Sequence, residues 1–115
     1  MKFSKELVII VAFTATCISG FSQNSVVKDT ITVEGICGMC KTRIEDAAFG
    51  KGVKFAEWTN ASSELVIVYR SDKTSLEEIE DRIAKAGHST EHKKAEKADY
   101  ESLPDCCRYE DLEKH

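Results

Sequence analysis

The stretch VEGICGMCKTRIEDAA, residues 33–48, decides the fold prediction because it contains two cysteines, Cys37 and Cys40, at a change of periodicity. Before it, residues 30–33 alternate polar and apolar, which predicts a half-buried strand starting near Lys28. After it, the apolar residues recur at helical spacing, on one face formed by Cys40, Ile44, Ala47 and Ala48. The two thiols are therefore expected in the loop and first turn between a strand and a helix.

Such a pair of thiols is compatible with a redox couple, half of a zinc site, a structural disulfide or a two-thiolate clamp for a soft metal. The helix N-terminus offers unsatisfied N–H groups and a partial positive charge. This setting can lower the pKa of a thiol from ~8.5 to roughly 3.5–7.5. Thiolates favour soft ions such as Cu(I), and two of them suit a low coordination number, whereas a structural zinc site needs four ligands.

The remaining pattern predicts two strands, a second helix and a weak last strand. The strands cover residues 53–58 and 65–69 and are joined by the polar turn 59–63. A capping box, Thr74 with Glu77 or Ser75 with Glu78, starts a helix that Gly87 ends. Its apolar face is formed by Leu76, Ile79, Ile83 and Ala86.

With a last strand from His88 to about Lys94, the order is strand, helix, strand, strand, helix, strand. This predicts an α+β, ferredoxin-like βαββαβ sandwich, with two helices on one face of a four-stranded antiparallel sheet. Residues 95–115 are predicted to be an appended C-terminal tail with a Cys-Cys pair.

The first 22 residues have the features of a secretory signal peptide. Lys2 and Lys5 precede an apolar run that begins at Leu7 and fades near residue 18, shorter than the about 20 residues that span a bilayer. Small residues at positions 20 and 22 favour cleavage after Ser22. A periplasmic or secreted domain of residues 23–94 is expected. An uncleaved anchor and a lipoprotein attached through Cys17 are weaker alternatives.

The composition excludes several classes of function. The formal net charge of the whole chain is −4, and removing residues 1–22, which carry a net charge of +1, makes it −5. An acidic chain without a basic stripe is not expected to bind nucleic acid or to insert into a membrane after cleavage. No catalytic constellation is recognisable, so an enzyme is not expected. Four cysteines remain, which permits three disulfide pairings.

The strand, Cys-x-x-Cys loop and helix, followed by strand, strand, helix and strand over about residues 28–94, resemble the heavy-metal-associated domain family. That family includes copper chaperones, N-terminal domains of metal-transporting ATPases and periplasmic mercury-binding proteins. The resemblance implies that Cys37 and Cys40 bind the metal. This chain departs from the common Gly-Met-x-Cys-x-x-Cys motif, because Glu34-Gly35-Ile36 precedes Cys37 and Met39 lies between the cysteines.

Three further residues are candidate ligands. His88 follows the second helix, at the same end of the sheet as the cysteine pair, and is expected to approach it as a metal ligand or as a counter-charge. Cys106 and Cys107 are expected to form an auxiliary metal–thiolate site. Disulfides between the tail and Cys37 or Cys40, or a free pair without a role, are the alternatives. A last strand would carry the chain away from the cysteine pair, so the tail can return only if it is largely unwound.

Together these features predict an exported protein that binds Cu(I), or Hg(II) or another soft ion, between two thiolates and transfers or sequesters it. The expected partner is a metal-transporting ATPase or another metal-handling protein of the envelope. The expected oligomeric state is a monomer or a metal-bridged dimer. A small thiol–disulfide redox protein that uses Cys37 and Cys40 is the alternative from a different class.

Overall fold

The computed structural model describes residues 25–115, so the predicted signal peptide lies outside the described residues. The strands are β1 (Val26–Thr32), β2 (Val53–Thr59) and β3 (Glu64–Arg70). The helices are α1 (Gly38–Ala48), α2 (Leu76–Lys85) and the short α3 (Lys97–Glu101), and a 3₁₀ turn covers Asp105–Cys107. In residues 25–115, no helix is long and apolar enough to cross a membrane.

The three strands form one antiparallel sheet in the order β1-β3-β2. Leu65 in the central strand lies opposite Ile31 on one side and Trp58 on the other, which places three buried side chains in a row. Alternation along the strands directs this row, together with Ile67, to one face of the sheet. Helices α1 and α2 contribute buried residues to the same core, including Ile44, Ile79 and Ile83. The predicted α+β fold, with the antiparallel pairing of these strands, is confirmed.

The fourth predicted strand is present only as an isolated bridge between Val33 and Thr90. The chain turns back immediately, because the Thr90 N–H donates to the Lys93 carbonyl at 2.7 Å. The buried carboxylate of Glu80 in α2 holds this turn by accepting from the Thr90 hydroxyl and from the His92 backbone N–H. The turn therefore prevents a continuous strand along β1, and the four-stranded ferredoxin-like sheet is not confirmed.

The Ser75 side chain caps the start of helix α2, and the Arg82 side chain fixes α2 to α1. The Ser75 hydroxyl accepts a hydrogen bond from the Glu78 N–H at 3.1 Å, as one form of the predicted capping box requires. The Arg82 guanidinium donates to the carbonyls of Ala47 and Ala48, at 3.1 and 2.8 Å. These carbonyls have no partner within α1, because they belong to its last turn. Arg82 thus holds the C-terminal end of α1 against α2.

Residues 95–115, here called the C-terminal segment, pack into the domain core. Leu103, Cys107 and Tyr109 are buried in the same cluster as the sheet and the helices. Gly87 makes room for the segment: it has φ +106°, and a Cβ there would lie 2.7 Å from Leu103 Cδ2. The expected appended tail is therefore a packed part of the domain.

Candidate metal centre

The cysteine pair lies where the sequence predicted it. Cys37 is the N-cap residue of α1, with extended backbone angles, and its carbonyl accepts from the Lys41 N–H at 3.1 Å. Cys40 follows in the first turn and is fully buried. Because Cys37 lies at the N-cap and Cys40 in the first turn of the same helix, the two sulfur atoms point into one small space and lie 3.6 Å apart.

A third thiol completes this group from the C-terminal segment. The Sγ atoms of Cys37, Cys40 and Cys107 all lie within 4.8 Å of one another, and all three residues are buried. The 3₁₀ turn positions Cys107, whose N–H donates to the Pro104 carbonyl at 2.8 Å. Among the described residues, all four cysteines are free thiols. The group formed by Cys37, Cys40 and Cys107 is called the three-thiol site below.

The C-terminal segment reaches the pair although it contains a helix. Sequence spacing alone indicated that it could return only if it were largely unwound. Two features make the return short. The turn at residues 90–93 reverses the chain close to the end of β1, and α3 has only five residues. The segment therefore begins at the same end of the sheet as the cysteine pair. Without a last strand to carry the chain to the other end, it does not have to return along the sheet.

The environment of the three-thiol site lowers the pKa of Cys37 and raises the pKa of Cys107. Burial raises the pKa of the Cys37 thiol. Hydrogen bonds from the N–H groups of Cys40 and Met39 and from the thiols of Cys40 and Cys107 lower it more, so its pKa lies below the ordinary value. Burial, and then the neighbouring Cys40 and Cys37 sulfurs, raise the pKa of Cys107. In the metal-free protein, Cys37 thus supplies a thiolate more readily than Cys107, which is a neutral thiol.

Cys106 points away from the three-thiol site. Its sulfur is partly exposed and lies 3.7 Å from the Met39 sulfur, whose side chain is 51% exposed. Its backbone carbonyl, in contrast, is 3.5 Å from Cys37 Sγ, within reach of a hydrogen bond from that thiol. The two adjacent cysteines of the segment therefore have different environments, one inside and one outside.

His88 is buried but is not a member of the three-thiol site. Its Nδ1 lies 2.8 Å from the Glu34 carbonyl, and its ring stacks on Tyr109 with centroids 5.7 Å apart. Burial lowers the pKa of His88 to about 4, which keeps the imidazole neutral at neutral pH. Nδ1 therefore carries the proton that it donates to Glu34. The structure uses His88 to support the loop that precedes Cys37.

Tyr109 was not identified as a site residue from the sequence. Its hydroxyl donates to the Gly87 carbonyl at 2.9 Å and accepts from the Ser89 N–H at 3.1 Å. It follows Cys107 by two positions and fixes that end of the segment over the domain. The signal in the sequence was a set of widely spaced apolar and aromatic residues within a charged tail, namely Tyr100, Leu103, Cys107 and Tyr109.

The end of the segment also closes over the loop before Cys37. The His115 N–H donates to the Ile36 carbonyl at 2.8 Å, and the Lys114 ammonium donates to the Gly35 carbonyl at 3.1 Å. A Cβ on Gly35 would lie 3.0 Å from the Trp58 ring and 3.1 Å from Cys40 Cβ. The loop is thus packed tightly against the buried tryptophan on one side and covered by the segment on the other.

The chemistry of this donor set is that of a soft cation site. Two sulfurs that each lie about 2.3 Å from one ion, the Zn–S distance, are at most about 4.6 Å apart. The observed separations of no more than 4.8 Å therefore need little adjustment to surround a single ion. Three sulfurs and no carboxylate or imidazole, among the described residues, favour soft ions such as Cu(I) over hard ones.

Three solved structures are similar to this chain. The CopZ metallochaperone matches with a TM-score of 0.53 and 26% identity, over 56% of this chain and 98% of its own. The putative copper-ion-binding protein from Bacillus anthracis str. Ames matches with a TM-score of 0.55 and 25% identity, over 60% and 100%. Mercury-bound MerP, the periplasmic protein of a bacterial mercury detoxification system, matches with a TM-score of 0.46 and 20% identity, over 56% and 94%. No protein-family model and no curated protein sequence matches the chain.

The described residues form a small α+β domain with a buried group of three thiols, and its fold is similar to that of a solved metallochaperone and of a solved putative copper-ion-binding protein. The resemblance to the heavy-metal-associated family, which the sequence predicted from the Cys37–Cys40 loop, is confirmed by these solved structures. They match slightly more than half of this chain but nearly all of their own length. This chain therefore has substantial sequence beyond the shared domain.

Proposed function

We propose that this protein is an exported carrier of a soft metal ion, Cu(I) in the first place, which it holds on Cys37, Cys40 and Cys107. The observation that supports this most strongly is the convergence of three buried sulfurs within 4.8 Å of one another. Hg(II) or another thiophilic ion is the alternative cargo. The proposal replaces the two-thiolate clamp expected from the sequence with a three-thiol site.

Coordination preference supports Cu(I) over zinc. A structural zinc site takes four ligands, and the group found among the described residues offers three. The name of one similar protein, a putative copper-ion-binding protein, points to copper, and the name of another, a metallochaperone, points to metal transfer. The positive end of the α1 dipole beside Cys37 favours the anionic metal–thiolate group that results.

The location and handling of the cargo are inferred from the sequence. We propose that residues 1–22 are removed after Ser22 and that the protein acts in the periplasm or is secreted. It transfers the ion to a metal-transporting ATPase or another metal-handling protein of the envelope, or it sequesters the ion, and it is not an enzyme. We also assign residues 88–91 to the position of the fourth strand of a ferredoxin-like domain, shortened here to the bridge at Thr90.

The test is a Cu(I) competition titration of the reduced protein against a coloured chelator. We expect one ion per chain and a large loss of affinity in Cys107→Ser. The loss should exceed the about 10–100-fold that removal of an outer-shell partner costs, because Cys107 is a ligand. Cys106→Ser is the matched control: it removes the adjacent thiol, which points outward, and should bind as tightly as the wild type.

Two results would overturn the assignment. A Cys37→Ser, Cys40→Ser double variant that still holds one Cu(I) at wild-type affinity would exclude the whole proposal. Unchanged affinity in Cys107→Ser would exclude the third ligand. The redox alternative has its own measurement, the reduction potential of the Cys37–Cys40 dithiol. Weak Cu(I) binding together with an easily reduced disulfide would favour that alternative.

A further inference from the structure

The three-thiol site is closed to a protein that would deliver or receive an ion. Cys40 and Cys107 are fully buried and Cys37 is 7% exposed. Metal passes between thiolate sites by ligand exchange, in which the incoming sulfur must touch the ion before the outgoing sulfurs leave. Direct attack on the buried ion would require the C-terminal segment to unpack, including Leu103 and Tyr109.

The surface beside this site carries a second pair of soft donor atoms. Met39 Sδ and Cys106 Sγ lie 3.7 Å apart, a separation at which one ion can contact both. Met39 is 51% exposed although it is a large apolar side chain in the first turn of α1. The pair combines a thiol with a thioether, which are the two protein side chains that select Cu(I).

This pair is joined to the three-thiol site through short covalent and hydrogen-bonded links. Met39 lies between Cys37 and Cys40 in the loop, and Cys106 precedes Cys107. The Cys106 carbonyl lies 3.5 Å from Cys37 Sγ, so the backbone of Cys106 already contacts the Cys37 thiol of the three-thiol site. Each of the two outer sulfurs therefore belongs to a residue that is adjacent in sequence to a cysteine of the three-thiol site.

We propose that Met39 and Cys106 form a transient two-sulfur site through which the soft ion reaches and leaves the three-thiol site. This inference rests on the proposed function and adds a loading and transfer position to it. The outer pair is called the transfer site below. A partner's thiolate can reach it without unpacking the C-terminal segment.

Each exchange step is a substitution at Cu(I) without a change of oxidation state. On loading, Cu–S bonds to Cys106 Sγ and to the neutral Met39 Sδ form, the Cys106 thiol proton goes to solvent, and the bonds to the donor's sulfurs break, after which the freed donor thiolates take up protons. On the inward step, a bond to the Cys37 thiolate forms as the bond to the neutral Met39 thioether breaks. Bonds to Cys40 and Cys107 then form as the bond to Cys106 breaks. The Cys40 and Cys107 thiol protons go to solvent, the freed Cys106 sulfur takes up one proton, and the ion ends with three sulfur ligands in place of two. Release reverses this order.

The experiment measures rate and equilibrium separately on the reduced full-length chain. Cu(I)-loaded wild type, Cys106→Ser and Met39→Leu are mixed with excess bicinchoninate, and transfer is followed by absorbance in a stopped-flow instrument. The affinity of each variant is taken from the equilibrium titration. Phe49→Leu is the matched control, because Phe49 is also an exposed apolar residue of the α1 region, 55% exposed, at the opposite end of the helix.

We expect both transfer-site variants to bind one ion with wild-type affinity and to release it about tenfold more slowly, because each lacks a contact that the ion makes only during transfer. Wild-type rates in both variants, with affinity intact, would overturn the transfer site and leave the proposed function standing. Failure of the proposed function is seen separately, as tight binding that survives loss of Cys37 and Cys40. A reduced affinity in Cys106→Ser would also contradict the inference, since Cys106 would then be a resident ligand.

Discussion

The buried neutral histidine should make the stability of the metal-free protein depend on pH. His88 is fully buried, its Nδ1–H donates to the Glu34 carbonyl, and its Nε2 has no hydrogen-bond partner within residues 25–115. Burial lowers the pKa of His88 to about 4. The bond to Glu34 raises it, and the charge of Arg43 lowers it further. The ring of Tyr109 also stacks on the imidazole.

Whether the free energy of unfolding rises or falls with pH depends on which state, folded or unfolded, binds more protons. In the unfolded chain the pKa of His88 is ~6.5, so between pH ~6.5 and about 4 the unfolded state binds more protons than the folded state. The free energy of unfolding therefore has its full His88 contribution above pH ~6.5 and loses it as the pH falls toward 4. At 1.36 kcal/mol per pKa unit, the difference between ~6.5 and about 4 corresponds to about 3 kcal/mol.

The assay is urea unfolding of the reduced, metal-free protein, followed by the fluorescence of Trp58, the only tryptophan. We compare the loss of stability between about pH 7.5 and about pH 4 in the wild type with that in His88→Phe and His88→Asn. The wild type should lose about 3 kcal/mol more than either variant, because groups other than His88 titrate equally in all three. His88→Asn retains an N–H donor for the Glu34 carbonyl, so the comparison can still be made if His88→Phe does not fold.

His92 provides a control, because its pKa is raised in the folded protein whereas that of His88 is lowered. Its hydrogen bond to the Glu80 carboxylate, and then the negative charge of that group, raise its pKa, so its contribution is full below the unfolded pKa and is lost as the pH rises through the folded value. His92→Gln should therefore keep the acid-side loss that His88 causes. An equal pH dependence in the wild type and both His88 variants would refute the reasoning.

Three substitutions test the packing around the site by urea unfolding. Ser75→Ala should cost ~1 kcal/mol, because it removes the N-cap acceptor for Glu78 N–H, and an unchanged midpoint would contradict this role. Tyr109→Phe should cost about 1–3 kcal/mol, because it leaves a buried carbonyl and a buried N–H without their partner, and a cost near zero would show that the hydroxyl is not bonded. Leu103→Ala should cost about 2–5 kcal/mol if the C-terminal segment is part of the core, and wild-type stability would mean that it is not.

The strands, the two long helices and the cysteine loop could be predicted because their signals are local. Alternation marks the pairing strands around Leu65, and a capping residue with helical spacing marks α2 from Ser75 onward. The position of Cys37 at the N-terminus of α1 followed from the change of period alone. In each case, neighbouring residues contain the information that determines the structure.

The last predicted strand and the role of the C-terminal segment depend on distant residues. Residues 88–94 are polar enough to be an edge strand, but Glu80 in α2 fixes a turn there through Thr90 and His92. Nothing within residues 88–94 indicates that contact. Similarly, the segment is charged and has few apolar residues, and its burial depends on the space that Gly87 leaves. Sequence reasoning could name Cys107 as a candidate ligand but could not separate it from Cys106.

The number of sulfur ligands on the bound ion tests the central claim most directly. X-ray absorption at the copper edge, on Cu(I)-loaded, reduced protein, counts the sulfur neighbours. The three-thiol site predicts three sulfurs in the wild type and in Cys106→Ser, and two in Cys107→Ser. Two sulfurs in all three proteins would contradict the account, because the metal would then be held by Cys37 and Cys40 without the C-terminal segment.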